Sequence, residues 1–202
     1  MTTRMRLLLT ATILKHLRRE LRRAGSREIG GLIMGEHVCD DVFRVVDVSV
    51  QRTGGSRGHF VRDPANHDAQ LRSFFARTRG DFTRFNYLGE WHSHPMFEPV
   101  PSTVDIATMQ SLVENPDVGA NFLVLLVVKL AARNTIEGSA AAFTPQSPPL
   151  GVTVVSGGES FEVLHSSRTD VLARLVALVN RNQAVRWADA PVWGVIREDG
   201  DK

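Results

Sequence analysis

Residues 92–105, HSHPMFEPVPSTVD, constrain the fold of this chain more than any other stretch. His92 and His94 are two residues apart, and residues i and i+2 of a strand face the same side. An extended segment here turns both imidazoles one way and Ser93 the other. Ser102 follows His94 after seven intervening residues, and Asp105 follows Ser102 after two. Ser-x-x-acid is a helix-start signal, so Ser102 is predicted as an N-cap with Asp105 in the first turn. The backbone must therefore run strand, loop, helix, with two ring nitrogens and one carboxylate able to converge. Two nitrogens and one oxygen leave one position of a tetrahedral zinc open, the pattern of a catalytic rather than a closed structural site. A plain capped helix would account for the serine and the aspartate, but not for the two histidines before them.

A hydrolytic site also needs a carboxylate base near the metal that is not itself a strong ligand. Glu28, Glu36, Glu90 and Glu98 are the candidates. Glu90 shares strand parity with His92 and His94, so periodicity alone nominates it as ligand or base. Ser102 has two readings, helix cap and oxyanion donor, and one hydroxyl can serve both. Trp91 points away from the ligands and is expected in the core. His16, His37, His59, His67 and His165 lack ligand spacing and read as surface or packing residues.

With those residues in view, the chain resembles the JAMM or MPN-plus metalloproteases, also called JAB domains. Their motif joins a His-x-His-Pro pair, a serine and an aspartate at these spacings to an upstream glutamate, and residues 92–105 match it throughout. Residues 28–35, EIGGLIMG, are similar to the family's Glu-x-Gly-Gly-x-Leu-x-Gly run, with Ile33 in place of the leucine. The resemblance covers residues 5–165. It implies an α/β fold, a deaminase-like mixed β-sheet flanked by helices. It also implies one Zn2+ per chain on His92, His94 and Asp105, with Glu28 as general base and Ser102 as oxyanion donor. Glu28 is preferred over Glu90 on resemblance.

The 202 residues suffice for a single domain over 1–202, with its core in 5–165 and a C-terminal helix and tail in 166–202. A hydrophobic fraction of 43% is that of a folding chain. The net charge of +2 gives no general affinity for nucleic acid. Residues 1–30 do hold eight basic side chains against Glu20 and Glu28, which reads as the solvated face of a helix. Cys39 is the sole cysteine, so no intrachain disulfide and no four-cysteine zinc site can form, which suits a cytoplasmic setting. The apolar run 5–14 passes into a charged helical pattern without a cleavage site, so a signal peptide is not expected. The run 122–128 is too short to span a bilayer, and no membrane association is expected.

Periodicity places a strand at 6–9 and a helix with Ile13, Leu14, Leu17 and Leu21 on one face, stopped by Gly25. Strands follow at 29–37 and 42–50, with a loop at 51–58. A helix opened by Asp63-Pro64 should bury Leu71, Phe74 and Phe75. The histidine strand is placed at 86–94, a helix at 103–114, and a strand buried on both faces at 122–128. Further strands are placed at 139–143 and 160–164, with a proline-rich connection at 144–151 and a helix at 169–182.

The resemblance implies a zinc isopeptidase that cuts after the C-terminal glycine of a ubiquitin-like protein or its conjugates. Loop 51–62 and the stretch 131–150 are the expected walls of the groove for the tail. The prokaryotic members occur in bacterial ubiquitin-like conjugation systems, including antiphage defence, beside activating and conjugating enzymes of the same operon. Two alternatives are a JAB hydrolase that processes a sulfur-carrier protein and a metal-free MPN scaffold that only binds partners. Nothing in the sequence sets the oligomeric state.

Overall fold

A computed structural model describes residues 5–56, 60, 62–132, 135–156 and 161–163. The helix expected at 169–182 and the tail after it lie outside these residues, as do His59 and His165.

The strands are β1 (Arg6–Leu9), β2 (Gly30–Cys39), β3 (Val42–Val48), β4 (Phe85–Ser93), β5 (Leu123–Leu130), β6 (Ile136–Phe143), β7 (Leu150–Ser156) and β8 (Phe161–Val163). The helices are α1 (Ala11–Ala24), α2 (Asp68–Arg77) and α3 (Thr103–Glu114). The sheet order is β5-β4-β2-β3-β1-β7-β6-β8, and β5 also pairs with β6. The sheet thus closes on itself as a barrel, with β8 outside it on β6. Pairing is mixed. β1 runs parallel to β3 and β7, and β4 runs parallel to β5. The β2–β3, β2–β4, β5–β6 and β6–β7 pairs are antiparallel. The closure is a finding beyond the open sheet-and-helix layers read from sequence.

β5 shows why the core has two parts. Val124, Leu126 and Val128 join the cluster that holds Ile13, Leu14, Leu17 and Leu21 of α1. Leu123, Leu125 and Val127 alternate with them and join Ile106, Met109 and Val113 of α3. Apolar side chains at every position of a strand are what burial on both faces requires.

α1 begins where Thr10 Oγ1 accepts from the Ile13 amide at 3.3 Å, and ends at Gly25, whose φ of 62° suits glycine. Asp63-Pro64 starts a 3-10 turn, Pro64–Asn66, before α2 begins at Asp68. Only Phe74 of α2 is buried; Leu71 and Phe75 are half-buried, because α2 lies on the outer side of β4. β6 starts at Ile136, earlier than its apolar end implied, and β7 lies where the sequence showed mainly the end of a proline-rich connection.

Candidate metal centre

β4 ends at Ser93, so His92 is its penultimate residue and His94 lies just beyond it. The His94 amide still donates to the Val128 carbonyl at 2.9 Å, which prolongs the alignment with β5 by one residue. Trp91 is 1% exposed and donates from its indole N–H to the Ser49 carbonyl at 2.9 Å, on the core side as expected. Parity then leaves His92 and His94 on the other face.

α3 brings in the third group. Ser102 is its N-cap: its Oγ accepts from the Asp105 amide at 3.2 Å, and its own N–H donates to Asp105 Oδ2 at 2.7 Å. This reciprocal capping box orients the Asp105 carboxylate toward β4. His92 Nε2 lies 3.6 Å from Oδ1 and His94 Nε2 lies 3.8 Å from Oδ2. The two Nε2 atoms are 3.0 Å apart. Ligands about 2.0–2.1 Å from a tetrahedral zinc lie a little over 3 Å from one another, so this spacing fits such an ion.

The His94 tautomer fits as well. His94 Nδ1 is 3.0 Å from the Glu98 carbonyl oxygen, and a carbonyl only accepts. Nδ1 therefore carries the proton, and Nε2 offers its lone pair toward His92 and Asp105, the usual outer-shell arrangement of a metal-binding histidine. Burial lowers the His94 pKa, the Glu98 carbonyl opposes this, and His92 lowers it further. Burial pushes the Asp105 carboxyl up, but hydrogen bonds to His92 and Ser102 outweigh it and hold the group far below the usual carboxylate range. A neutral imidazole and an ionised carboxylate are the ligand forms a cation needs.

Glu28 sits in the loop ahead of β2, two residues before Gly30. Ser93 N donates to the Ile29 carbonyl at 2.8 Å, and Ile29 N donates to Ser93 Oγ at 3.0 Å. Gly30 pairs antiparallel with His92, and the Ile29–Ser93 contacts extend the alignment by one residue, which brings the loop that carries Glu28 to the end of β4. Gly30 is required there: a Cβ would lie 2.5 Å from the Trp91 carbonyl oxygen and 2.7 Å from the Phe60 ring. Glu28 is 5% exposed and lines the same groove as the three ligands.

That groove has a volume of about 1110 Å³. Phe60 and Arg62 form one wall, as expected of the 51–62 loop. The other wall is the 97–101 loop with the outer face of α3, including Val104, Thr108 and Leu112. Among the described residues, the stretch 131–150 lines none of it, which corrects the second expected wall. Its contribution is indirect: Ser139 Oγ donates to the Pro99 carbonyl at 2.7 Å and supports the 97–101 loop from behind. Glu90 lines the groove too, but its carboxylate is in an ion pair with Arg62 at 2.5 Å and is not in the ligand cluster. Burial raises the Glu90 pKa, while Arg62 opposes it.

Arg62, Phe60 and the Glu98 carbonyl were not singled out from sequence. Backbone carbonyls have no sequence signature, and Arg62 gains its place only when the loop folds back over β4. Glu36 lies toward the other end of β2 from the site, opposite Phe85, bound by Arg44 at 2.9 Å and Arg84 at 2.7 Å. His67 is buried, with Nδ1 2.7 Å from Ser49 Oγ, and packs as an ordinary interior histidine.

A family model described as prokaryotic homologs of the JAB domain matches residues 10–141. Over 119 residues the chain is 28% identical to a CD-NTase/cGAS isopeptidase of Enterobacter hormaechei subsp. hoffmannii (strain UCI 50), covering 55% of this chain and 60% of that protein. A protein of Desulfitobacterium hafniense, solved in solution, superposes with a TM-score of 0.55 at 21% identity, covering 76% of this chain and 94% of that one. This last likeness concerns the fold alone. The match over most of the described residues, on a fold that assembles His92, His94 and Asp105 beside Glu28, makes the chain a member of the prokaryotic JAB family.

Proposed function

We propose that this protein is a zinc-dependent isopeptidase that hydrolyses the bond after the C-terminal glycine of a ubiquitin-like protein. The observation that carries the reading is the metal-ready cluster of His92, His94 and Asp105, open to a groove that Glu28 also lines. His92, His94 and Asp105 would hold a zinc ion, whose chemistry there would be Lewis acidity toward a water and a carbonyl.

The remaining chemistry belongs to side chains. Glu28, which lines the same groove as the cluster, takes a proton from the attacking water and returns it to the leaving amine. The Ser102 hydroxyl, exposed at the start of α3, donates to the oxygen that gains charge in the tetrahedral stage. The capping box keeps Asp105 aimed while this happens, and His92 together with Ser102 keeps it ionised. Phe60 and the 97–101 loop confine the extended tail so that the scissile carbonyl meets the cluster.

The isopeptidase name of the Enterobacter relative supports a bond made to a side-chain amine over a general peptide bond. The setting we propose is cytoplasmic, within a bacterial ubiquitin-like conjugation system of the antiphage kind, with activating and conjugating enzymes as neighbours. A sulfur-carrier substrate is the second reading of the same chemistry.

The test is cleavage of ubiquitin-like fusions and conjugates, with zinc and with a strong chelator, alongside the metal content of the purified protein. We expect one zinc per chain, chelator-sensitive cleavage, and loss of both in a His92→Ala, His94→Ala double variant. Full zinc occupancy and activity in that variant would sink the reading.

A further inference from the structure

We propose that the 51–56 segment is a strap that positions Glu28, with Gly55 as its contact point and the Arg52–Glu20 ion pair as its anchor. The inference rests on the reading of Glu28 as general base. Glu28 lies in a loop, outside any strand, so the β2–β4 ladder alone does not hold it.

Two contacts fix its backbone from the other side. The Glu28 amide donates to the Ser56 carbonyl at 2.8 Å. Gly55 presses on the Glu28 carbonyl so closely that a Cβ at position 55 would overlap the carbonyl oxygen and its carbon. Gly55 does not lie in the left-handed region that disfavours side chains, unlike Gly54 with its φ of 80°. Glycine at 55 is therefore demanded by the close approach to Glu28 and not by its own backbone.

The strap is itself tied down. Gln51 is 4% exposed, and its side-chain amide spans the mouth of the loop. Its Nε2 donates to the Thr53 carbonyl at 2.9 Å and its Oε1 accepts from the Asp63 amide at 2.8 Å. Its backbone N–H donates to the Gly30 carbonyl at 2.7 Å. Arg52 Nε donates to Glu20 Oε2 at 2.7 Å, across to α1. The Glu20 side chain has no exposed surface and also accepts from Arg19 and Arg23, each at 3.2 Å. A buried carboxylate with three arginines on it is a firm anchor for a surface loop. The line of contact runs from α1 through Arg52 and the strap to the backbone of Glu28.

Gly55→Ala and Arg52→Ala test this. Single-turnover cleavage of a ubiquitin-like fusion is measured in the wild type, each variant, Glu28→Gln, and each variant combined with Glu28→Gln. Zinc affinity and the exchange rate of the Glu28 amide are measured on the same proteins. Displacing the base should lower kcat by about 10- to 100-fold with KM little changed. Exchange of the Glu28 amide should quicken by about tenfold, while zinc affinity stays as in the wild type. The decisive arm is the cycle: in the Glu28→Gln background, Gly55→Ala should cost nothing further, because its effect passes through that carboxylate.

An equal loss in both backgrounds, or wild-type kcat and exchange in Gly55→Ala, overturns the strap. If Gly55→Ala does not fold, Arg52→Ala decides on the same criteria. A Glu28→Gln protein as active as the wild type would instead remove the base assignment beneath it. A dead Glu28→Gln beside a normal Gly55→Ala removes the strap alone.

Discussion

Glu28 and Glu90 line one groove, and their surroundings give them different work. Glu90 is neutralised by Arg62 and hemmed in by Tyr87, whose own pKa is raised first by burial and then by the neighbouring carboxylate. A carboxylate committed to a guanidinium is a poor proton shuttle, and its pairing instead fixes Arg62 on the groove wall. Glu28→Gln should keep zinc and fold and lose roughly two to four orders of magnitude in turnover. Glu90→Gln should be much milder; a dead Glu90→Gln beside a near-normal Glu28→Gln would exchange the roles. Ser102 is decided by a different pair of readouts. Ser102→Ala loses one cap acceptor but keeps the backbone N–H that holds Asp105 Oδ2. Cap loss alone appears as about 1 kcal/mol in chemical denaturation. Loss of an oxyanion donor appears as roughly 100-fold or more in turnover. We expect both, and a stability change without a rate change would leave Ser102 a cap only. At this scale His92, His94, Ser102 and Asp105 were legible because one strand–loop–helix unit carries them all, and local spacing encodes their geometry. The place of Glu28 beside the cluster was suggested only through resemblance, since nothing local says that residue 29 comes to lie against residue 93.

Elements with a clear period were readable in the same way. The stripe of α1, the capping box of α3 and the two-sided apolar run of β5 each follow from side-chain spacing. β7 was not readable, because Pro148 and Pro149 lead directly into it and its pairing with β1 and β6 is non-local. α1 hides a further point. Its arginines looked like one solvated basic face, yet Glu20 lies fully buried among them. The hydrogen bond from Arg52 lowers the Glu20 pKa most, burial opposes it, Arg19 adds to the lowering, and the result is about 2 against an ordinary 4.5. A depressed carboxylate pKa contributes stability above its unfolded value, and that stability is lost as pH falls toward the folded one. The anchor should therefore be intact above about pH 4.5 and fade as pH falls toward about 2. Urea denaturation from pH 7 down through this window should show Glu20→Gln less stable than the wild type at neutral pH, with the gap narrowing in acid. Parallel curves would mean that the ion pairs contribute nothing net.

At the scale of the whole molecule, barrel closure sets what the groove can be. Because β4 pairs with both β2 and β5, and β5 in turn with β6, neither the ligand strand nor its neighbour offers a tail a free edge. An extended substrate must then be held by the walls from Phe60, Arg62, the 97–101 loop and α3 rather than by strand addition along β4. Such walls make few backbone hydrogen bonds to a short glycine tail, so most of the affinity must come from outside the groove. We expect the protein to cleave a folded ubiquitin-like domain fused through its tail much faster than a free peptide of the same tail sequence. Docking of the domain supplies binding energy that also aligns the scissile bond, so the difference should show in kcat as well as in KM. Competition by the uncleaved folded domain, added in excess, should slow cleavage of the fusion and leave any residual peptide cleavage less affected. Equal rates on peptide and fusion would show that the groove alone recognises the substrate, and the protein would then be a general metallopeptidase.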